Sequence, residues 1–283
     1  MIRATFRSLT ARKLRLLLSS LSIVLGVSFV SGAFVLTDSL GKVFDDLFST
    51  ISQNVAVDIR GDKVTSGNQG DVRALLPQDL LSTVEQVDGV KEAQGQVQGS
   101  AQLVDTLGKA VSTGGAPTFG FNWYDSKLLQ SGTIVQGRAP HGPDEIAINR
   151  GLLDRTDYKL GDSAPVLTDQ PLKSYKIVGI VEFDGKPSFA GETDVFFETA
   201  VAQQVLNLNG KFNEITVAAD SGVSETELRD RIRPLLPADA QAITGTASAA
   251  QQASDVKQGL GFFNTFLLVF AAIALFVGAF IIF

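Results

Sequence analysis

Two apolar runs without any charged residue lie near the opposite ends of the 283-residue chain. The first covers residues 16–37 and contains no Asp, Glu, Lys, Arg or His. As a helix it would be roughly 33 Å long at about 1.5 Å per residue. The second covers residues 259–283 and is equally free of charge. Because the hydrocarbon core of a bilayer is about 30 Å thick, this pattern predicts two transmembrane helices.

An apolar stripe with helical spacing continues beyond the first run, while Asp and Lys occupy the other faces. The stripe consists of Leu36, Leu40, Phe44, Leu47 and Ile51. It predicts that residues 38–52 extend from the membrane as a stalk helix. Residues 247–258 are rich in Ala, Gln and Ser and lack Gly and Pro, which predicts a second stalk helix. We expect the stripe to face this second stalk and to couple the membrane to the region outside it.

Between the stalks, the order strand, helix, strand occurs twice, separated by about 100 residues. The first set is predicted at 54–60, 77–87 and 90–104, and the second at 213–219, 224–233 and 240–244. This order predicts an α+β domain in which residues 53–108 and 211–246 form a split ferredoxin-like, porter-type subdomain.

The residues between the two sets, 109–210, are rich in turns and short alternating segments. They predict an inserted β-rich lobe with antiparallel strands. Residues 62–73 are polar and contain glycine, and this composition predicts a loop.

Basic residues precede the first run, and no acid occurs among the first 15 residues. The basic residues are Arg3, Arg7, Arg12, Lys13 and Arg15. A basic flank marks the cytoplasmic side, so we expect residues 1–15 to be a cytoplasmic amphipathic segment and residues 38–258 to be extracytoplasmic. The alternative is a cleaved signal peptide, but its apolar core should be about 7–15 residues long, much shorter than this run.

Small residues recur four positions apart in both apolar runs, at Ser22 and Gly26, at Ser28 and Gly32, and at Ala274 and Gly278. Small side chains at this spacing allow a second helix to approach closely in lipid. They are therefore candidates for helix packing, although serine and glycine are also common in single spans.

The remaining composition excludes several classes of function. Outside residues 1–15 there are 19 basic residues (24 minus 5) against 30 acidic ones, so the folded domain lacks the basic face that nucleic acid requires. Cysteine is absent and His141 is the only histidine, which removes nearly all thiolate, zinc and His-dependent catalysis. No Walker A, dinucleotide-binding, zinc-protease or Gly-x-Ser-x-Gly motif occurs. We expect no enzyme activity, metal site or bound cofactor.

Three segments resemble motifs of one membrane-protein family. They are the basic flank and first span at 12–27, the turn and strand at 136–148, and residues 159–162 with the strand at 175–181. Together with the architecture, they resemble the N-terminal half of FtsX-like/MacB-type ABC transporter permeases. These segments are turns, strands and a span, so the resemblance implies no catalytic residue.

The resemblance implies a permease subunit in the bacterial cell membrane that exports or extracts lipid, lipoprotein, peptide or drug substrates by mechanotransmission. Its partners would be an ABC ATP-binding subunit, which binds the ATP, and a second permease in a homodimer or heterodimer. Family members have at least four spans, so we expect this chain to be an N-terminal portion. The alternative from another class is a two-pass membrane sensor whose extracellular domain binds a ligand.

Overall fold

The structure, a computed structural model, describes residues 13–67 and 70–282. Residues 1–12 of the predicted cytoplasmic segment therefore lie outside the described residues. The chain divides into two compact units, one formed by Met1–Ser49 with Ala249–Phe283 and the other by Thr50–Ser248.

The elements run in the following order along the chain. The helices are α1 (Lys13–Ile51), α2 (Asp79–Glu85), α3 (Arg150–Leu153), α4 (Thr199–Val205), α5 (Glu225–Ile232) and α6 (Gly245–Ile282). A 3₁₀ turn at Arg233–Leu235 follows α5. The strands are β1 (Val57–Gly61), β2 (Lys63–Gly67), β3 (Gly70–Arg73), β4 (Leu76–Pro77), β5 (Val90–Gln96), β6 (Gln98–Gly99), β7 (Gln102–Leu103), β8 (Thr118–Trp123), β9 (Thr133–Gly137), β10 (Glu145–Asn149), β11 (Ser163–Leu167), β12 (Lys173–Glu182), β13 (Thr193–Glu198), β14 (Lys211–Phe212), β15 (Glu214–Ala219) and β16 (Ala240–Thr244).

The first unit contains the long helices α1 and α6. Helix α1 is continuous through the predicted span at 16–37 and the predicted stalk at 38–52. By length and composition, Val24–Ile51 is the one stretch among the described residues that is long and apolar enough to cross a membrane. Helix α6 likewise joins the predicted second stalk and second run without a break, and its role as a span stays a prediction.

Helices α1 and α6 lie antiparallel to each other within the first unit. The rings of Phe29 and Phe270 are 6.3 Å apart at one end. Toward the other end, Lys257 Nζ donates to both carboxylate oxygens of Asp45 at 2.7 Å. Gly41 makes room for the lysine, since a Cβ at this position would lie 3.2 Å from Lys257 Cε. An ion pair and a small residue thus contribute to the contact between α1 and α6.

We expect the Asp45–Lys257 pair to contribute little stability, because both side chains are partly exposed to solvent. A double-mutant cycle with D45A and K257A should give a coupling free energy of about 0.2–1 kcal/mol that decreases with added salt. The measurement is thermal unfolding of the intact chain in detergent. The Asp38–Lys42 pair within α1 serves as the control. A coupling of several kcal/mol would contradict this view of the stalks.

A four-stranded antiparallel sheet in the second unit has the order β16-β1-β15-β5. Strand β1 is buried along its whole length, and the apolar side chains of one face of the sheet pack toward α2 and α5. This face includes Val57, Ile59, Ile215 and Val217, all fully buried. Predicted strands from both ends of the region between the long helices therefore come together in one sheet, although β5 and β15 are far apart in sequence.

The larger sheet has the order β6-β8-β13-β10-β12-β11-β7, with β9 also paired to β12. The expectation of an antiparallel lobe is wrong, since β10 pairs parallel with β12 and β8 pairs parallel with β13. Strands that follow one another in the sequence are thus not always neighbours in the sheet. Strands β6 and β7 also belong to this sheet, so it includes residues before 109. One hydrophobic core extends from the four-stranded sheet to this larger sheet.

Residues 62–73 are also not the predicted loop. Strands β2 and β3 pair as an antiparallel hairpin, with Lys63 opposite Arg73 and Gly67 opposite Gly70. Its side chains are largely polar and Val64 is exposed, so backbone pairing defines the hairpin without a hydrophobic face.

Candidate functional site

The second face of the four-stranded sheet carries charged and polar side chains. Asp58 and Arg60 alternate with buried apolar residues along β1. Strand register places Thr216 opposite Asp58 and Glu214 opposite Arg60, so all four side chains lie on one face. Asp58 is only 2% exposed and Arg60 8%. This face, which we call the polar face, is therefore covered at Asp58 and Arg60, and Glu214 and Thr216 are half-buried.

The connection between β8 and β9, residues 124–132, lies over the polar face. Asn54 Nδ2, just before β1, donates to the carbonyl oxygen of Leu128 at 3.0 Å. Tyr124 donates its hydroxyl to the carbonyl oxygen of Leu129 at 3.3 Å. Burial raises the pKa of the Tyr124 phenol, and the nearby carboxylate of Glu214 raises it further. A segment from the inserted lobe thus shields the charges of the smaller sheet from water.

The two carboxyl groups of the polar face have unusual proton affinities. Burial raises the pKa of Glu214 to about 8, the charge of Asp58 adds to this increase, and Arg60 and Arg73 oppose it. Burial also raises the pKa of Asp58, against the hydrogen bond from Ser248 and the charge of Arg60. Asp58 Oδ1 has no hydrogen-bond partner among the described residues. Glu214 is therefore mainly protonated at neutral pH.

The first turn of α6 is bound to this sheet through what we call the α6 junction, residues 245–248 and their partners. Ser248 Oγ donates to Asp58 Oδ2 at 2.6 Å, and Ser248 is only 3% exposed. Thr246 donates its amide and its hydroxyl to the carboxylate of Glu225, at 3.1 and 3.0 Å. The Ala247 amide donates to Thr244 Oγ1 at 3.2 Å. Hydrogen bonds to charged groups therefore satisfy part of the helix N-terminus.

Gly245 is the residue on which this close approach depends. Its amide donates to the carbonyl oxygen of Ala56 at 2.9 Å. A Cβ at this position would lie 1.7 Å from the carbonyl oxygen of Val55. The chain can therefore turn from β16 into α6 beside β1 only because this position has no side chain.

Residues 136–148 form a turn and a strand, and a salt bridge between Arg138 and Glu145 stabilises the turn. Arg138 pairs with both carboxylate oxygens of Glu145, at 2.6 and 2.5 Å. The backbone amide of His141 also donates to Glu145, and the amide of Gly142 donates to Glu198. The hydrogen bonds from Arg138 lower the pKa of Glu145 to about 2. His141 is exposed in this turn. No described side chain is paired with it as a nucleophile or a base.

Asn149 ends β10 and joins three elements through its side chain. Its Oδ1 accepts from the amides of Leu152 and Asp194, both at 3.1 Å. Its Nδ2 donates to Asp194 Oδ2 and to the carbonyl oxygen of Glu192, both at 3.2 Å. Burial raises the pKa of Asp194 well above its usual value, and the charge of Glu192 adds to this. This buried cluster holds α3, β10 and β13 together.

The five apolar residues of the stripe, which the sequence proposes for coupling, differ in their exposure to solvent. Leu36 and Leu40 are 57% and 36% exposed, whereas Phe44, Leu47 and Ile51 are partly buried. The contact of α1 with Lys257 is made by Gly41 and Asp45 instead. The stripe is therefore only partly covered within the single chain, and its coupling role stays a prediction.

The small-residue candidates also differ. Gly26 is buried, but Ser28 and Gly32 are exposed, and nothing lies within 4 Å of a Cβ at Gly32. For Ser22, Ala274 and Gly278 the structure describes the helical backbone and not the surroundings of the residue. Ala33 and Gly41, which the sequence did not single out, are buried with Gly26 at intervals of seven and eight residues. Packing of Ser28 and Gly32 against another chain stays a prediction.

The polar face itself was missed from the sequence. Its signal was present in the alternation of charged with apolar residues at Asp58, Arg60, Glu214 and Thr216. The same alternation is typical of a strand with one solvated face. Within residues 13–67 and 70–282, no group of three His, Cys, Asp or Glu side chains could hold a metal ion.

Comparison with known proteins shows the family to which most of the chain belongs. A family profile described as the MacB-like periplasmic core domain matches residues 16–235. No match was found among curated protein sequences.

Solved structures that are similar to the chain include two domains of transporter proteins. The periplasmic region of MacB from Actinobacillus actinomycetemcomitans has 13% sequence identity and a TM-score of 0.52, over 72% of this chain and 95% of that one. The extracellular domain of the noncanonic ABC-type transporter YknZ from Gram-positive bacteria has 11% identity and a TM-score of 0.48, over 66% and 98%. At this identity, the first similarity establishes the fold alone.

Proposed function

Because the chain belongs to the family with the MacB-like periplasmic core domain, we propose that it is the permease subunit of an ABC transporter of the MacB/FtsX type. The observation that carries this proposal is a mixed α/β core domain of that family between two long helices. The apolar stretch in α1 supports a membrane location for the N-terminal helix.

The domain would act by transmitting movement and not by catalysis. In this proposal an ABC ATP-binding subunit binds and hydrolyses ATP in the cytoplasm, and this chain binds no cofactor itself. The N-terminus is cytoplasmic, residues 38–258 are extracytoplasmic, and residues 259–283 form the second span. A homodimer or a heterodimer with another permease completes the membrane part.

The sheet order β16-β1-β15-β5 supports interpreting residues 53–108 and 211–246 as a split ferredoxin-like unit, apart from β6 and β7, which pair in the larger sheet. Movement of the stalks would then displace this unit and export or extract a lipid, lipoprotein, peptide or drug. The contact of α1 with α6 through Asp45 and Lys257 supports a role for the two stalks as a pair.

The test of this function is association with an ATP-binding subunit. We expect an affinity-tagged chain, extracted in mild detergent, to co-purify with an ABC ATPase in a fixed ratio. The control is the segment 50–248 expressed alone, which lacks the helices of the first unit and should not retain the ATPase. Absence of any ATPase from the intact complex would favour the two-pass sensor, whose cytoplasmic partner would be a signalling module.

A further inference from the structure

Strand β16 forms one edge of the four-stranded sheet, and β1 is its only partner among the strands that the structure describes. Two backbone bonds just outside the paired residues fix the hydrogen-bonding pattern of these strands. The amide of Gly245 donates to the carbonyl oxygen of Ala56, and the amide of Asp62 donates to the carbonyl oxygen of Asp239. Because hydrogen-bonded and non-hydrogen-bonded pairs alternate in an antiparallel ladder, the direction of every backbone group in β16 follows from these bonds.

Three of the five residues of β16 direct their amide and carbonyl groups away from β1, namely Ala240, Ala242 and Thr244. The amide of Ala240 donates to the carbonyl oxygen of Pro237 in the preceding turn. At Ala242, both the amide and the carbonyl group face the open edge, and no other strand of the described chain pairs with them. The middle of β16 therefore presents one donor and one acceptor to a further strand.

The sequence of β16 does not protect this edge. The strand contains no charged residue and no proline, and its register with β1 has no bulge. Sheets commonly protect an exposed edge with such features, because unpaired backbone groups attract another strand. The opposite edge, at β5, is bound by Asn122, whose side chain donates to the carbonyl oxygen of Gly95 and accepts from the amide of Val97. Strand β16 is thus an edge that can accept a strand.

Two arginines lie beside this open edge. A cavity of about 360 Å³ is lined by Arg229 on α5, by Arg233 just after α5, and by residues 240–242 of β16. The guanidinium of Arg229 donates to Asp230 Oδ1 through Nε and Nη2, at 2.9 and 2.6 Å. Arg233 is exposed and forms no ion pair within the described part of the chain. A positive charge is therefore available next to the unpaired backbone of Ala242.

We propose that the edge of β16 binds an extended peptide segment that carries an acidic side chain. The backbone of the peptide pairs with Ala242 and adds a strand to the sheet, and its carboxylate forms an ion pair with Arg233. A second copy of the chain fits this edge less well. Antiparallel pairing of two β16 strands would place Arg229 and Arg233 of both copies side by side on one face of the combined sheet. The site goes beyond the proposed function and does not depend on it.

The probe is a fluorescein-labelled peptide of five residues, the length of β16, in which threonine and valine flank one central glutamate. Its binding to the intact chain in lipid nanodiscs is followed by fluorescence anisotropy. We expect saturable binding that weakens by about tenfold when glutamine replaces the glutamate, since a hydrogen bond to a charged group is lost. A peptide methylated on the backbone nitrogens should not bind, because it cannot donate to the carbonyl oxygen of Ala242.

The variant R233Q should weaken the binding of the glutamate peptide by a similar factor and should bind the glutamine peptide as the wild type does. The matched control is R231Q on the same helix, because the guanidinium of Arg231 bonds to Asp88 and Glu227 instead. This control should bind both peptides like the wild type. Equal binding of the glutamate peptide by R233Q and the wild type would overturn the assignment of Arg233.

The variant A242P tests the backbone pairing from the side of the protein. Proline is tolerated on an edge strand where the amide faces outward, so A242P should keep its thermal transition and lose peptide binding. If A242P does not fold, the methylated peptide tests the same pairing on the wild-type chain. Equal binding of the methylated and unmethylated peptides, or no binding of either, would overturn the proposal. An affinity that falls as the concentration of the chain rises would overturn it in favour of a second copy at this edge.

Discussion

Replacing Gly245 with alanine should lower the stability of the sheet domain more than any other single methyl addition at the α6 junction. The new Cβ would lie 1.7 Å from the carbonyl oxygen of Val55, so the backbone must move and the hydrogen bond from the Gly245 amide to Ala56 is strained. We expect a loss of about 3 kcal/mol or more in the free energy of unfolding. The melting temperature should fall by roughly 6–12 °C, taking about 2–4 °C per kcal/mol.

Thermal unfolding can be followed through the fluorescence of Trp123, the only tryptophan in the chain. Its ring packs edge-on against Phe196 in the larger sheet, with ring centroids 5.6 Å apart, so it reports on the folded domain. The control is G32A, at a helical glycine with nothing within 4 Å of the added Cβ. This control should leave the transition unchanged. An equally small effect of G245A would mean that the chain does not approach Val55 as closely as described.

Replacing Glu214 with glutamine should remove most of the loss of stability that the domain undergoes at high pH. The pKa of Glu214 is about 8 in the folded domain and 4.5 in its ordinary state, so the folded domain holds a proton that the unfolded chain releases between these values. The stabilisation is complete below pH 4.5 and is lost as the pH rises through 8. The loss amounts to a few kcal/mol, at about 1.4 kcal/mol per pKa unit.

Glutamine resembles the protonated glutamic acid, so E214Q should match the wild type near pH 5 and be more stable near pH 9. The measurement is urea unfolding of the segment 50–248 between pH 5 and 10. E85Q, at an exposed position on α2, is the control and should follow the wild-type profile. Asp58 is present in the wild type and in every variant. Because its pKa is also raised, it too lowers the free energy of unfolding as the pH rises. Parallel profiles for E214Q and wild type would show that Glu214 titrates normally.

The alternation of apolar residues was sufficient to predict the strands of the smaller sheet. Val57 and Ile59 in β1, and Ile215 and Val217 in β15, are the buried positions that this alternation identifies. The long helices were predictable for the same reason, because their spacing and lack of charge extend over many turns. In these elements the local pattern and the global fold agree.

The sequences of β1 and β15 could not predict that another segment covers the polar face. Asp58 and Glu214 have the same local pattern whether water or protein lies above them. The covering segment, 124–132, begins 66 residues after Asp58 and ends 82 residues before Glu214 along the chain. The parallel pairing of β10 with β12 also depends on β11, which follows β10 in sequence but pairs on the far side of β12. Such features depend on distant contacts.

In the proposed function, ATP hydrolysis in a cytoplasmic partner moves the stalk helices outside the membrane. The most direct test is the distance between spin labels on S49C and A250C, two exposed positions near the outer ends of α1 and α6. The chain has no cysteine of its own, so both labels are specific. In nanodiscs with the ATP-binding subunit, we predict that this distance changes when ATP is added and returns after hydrolysis. A complex that hydrolyses ATP while the distance stays constant would contradict the account.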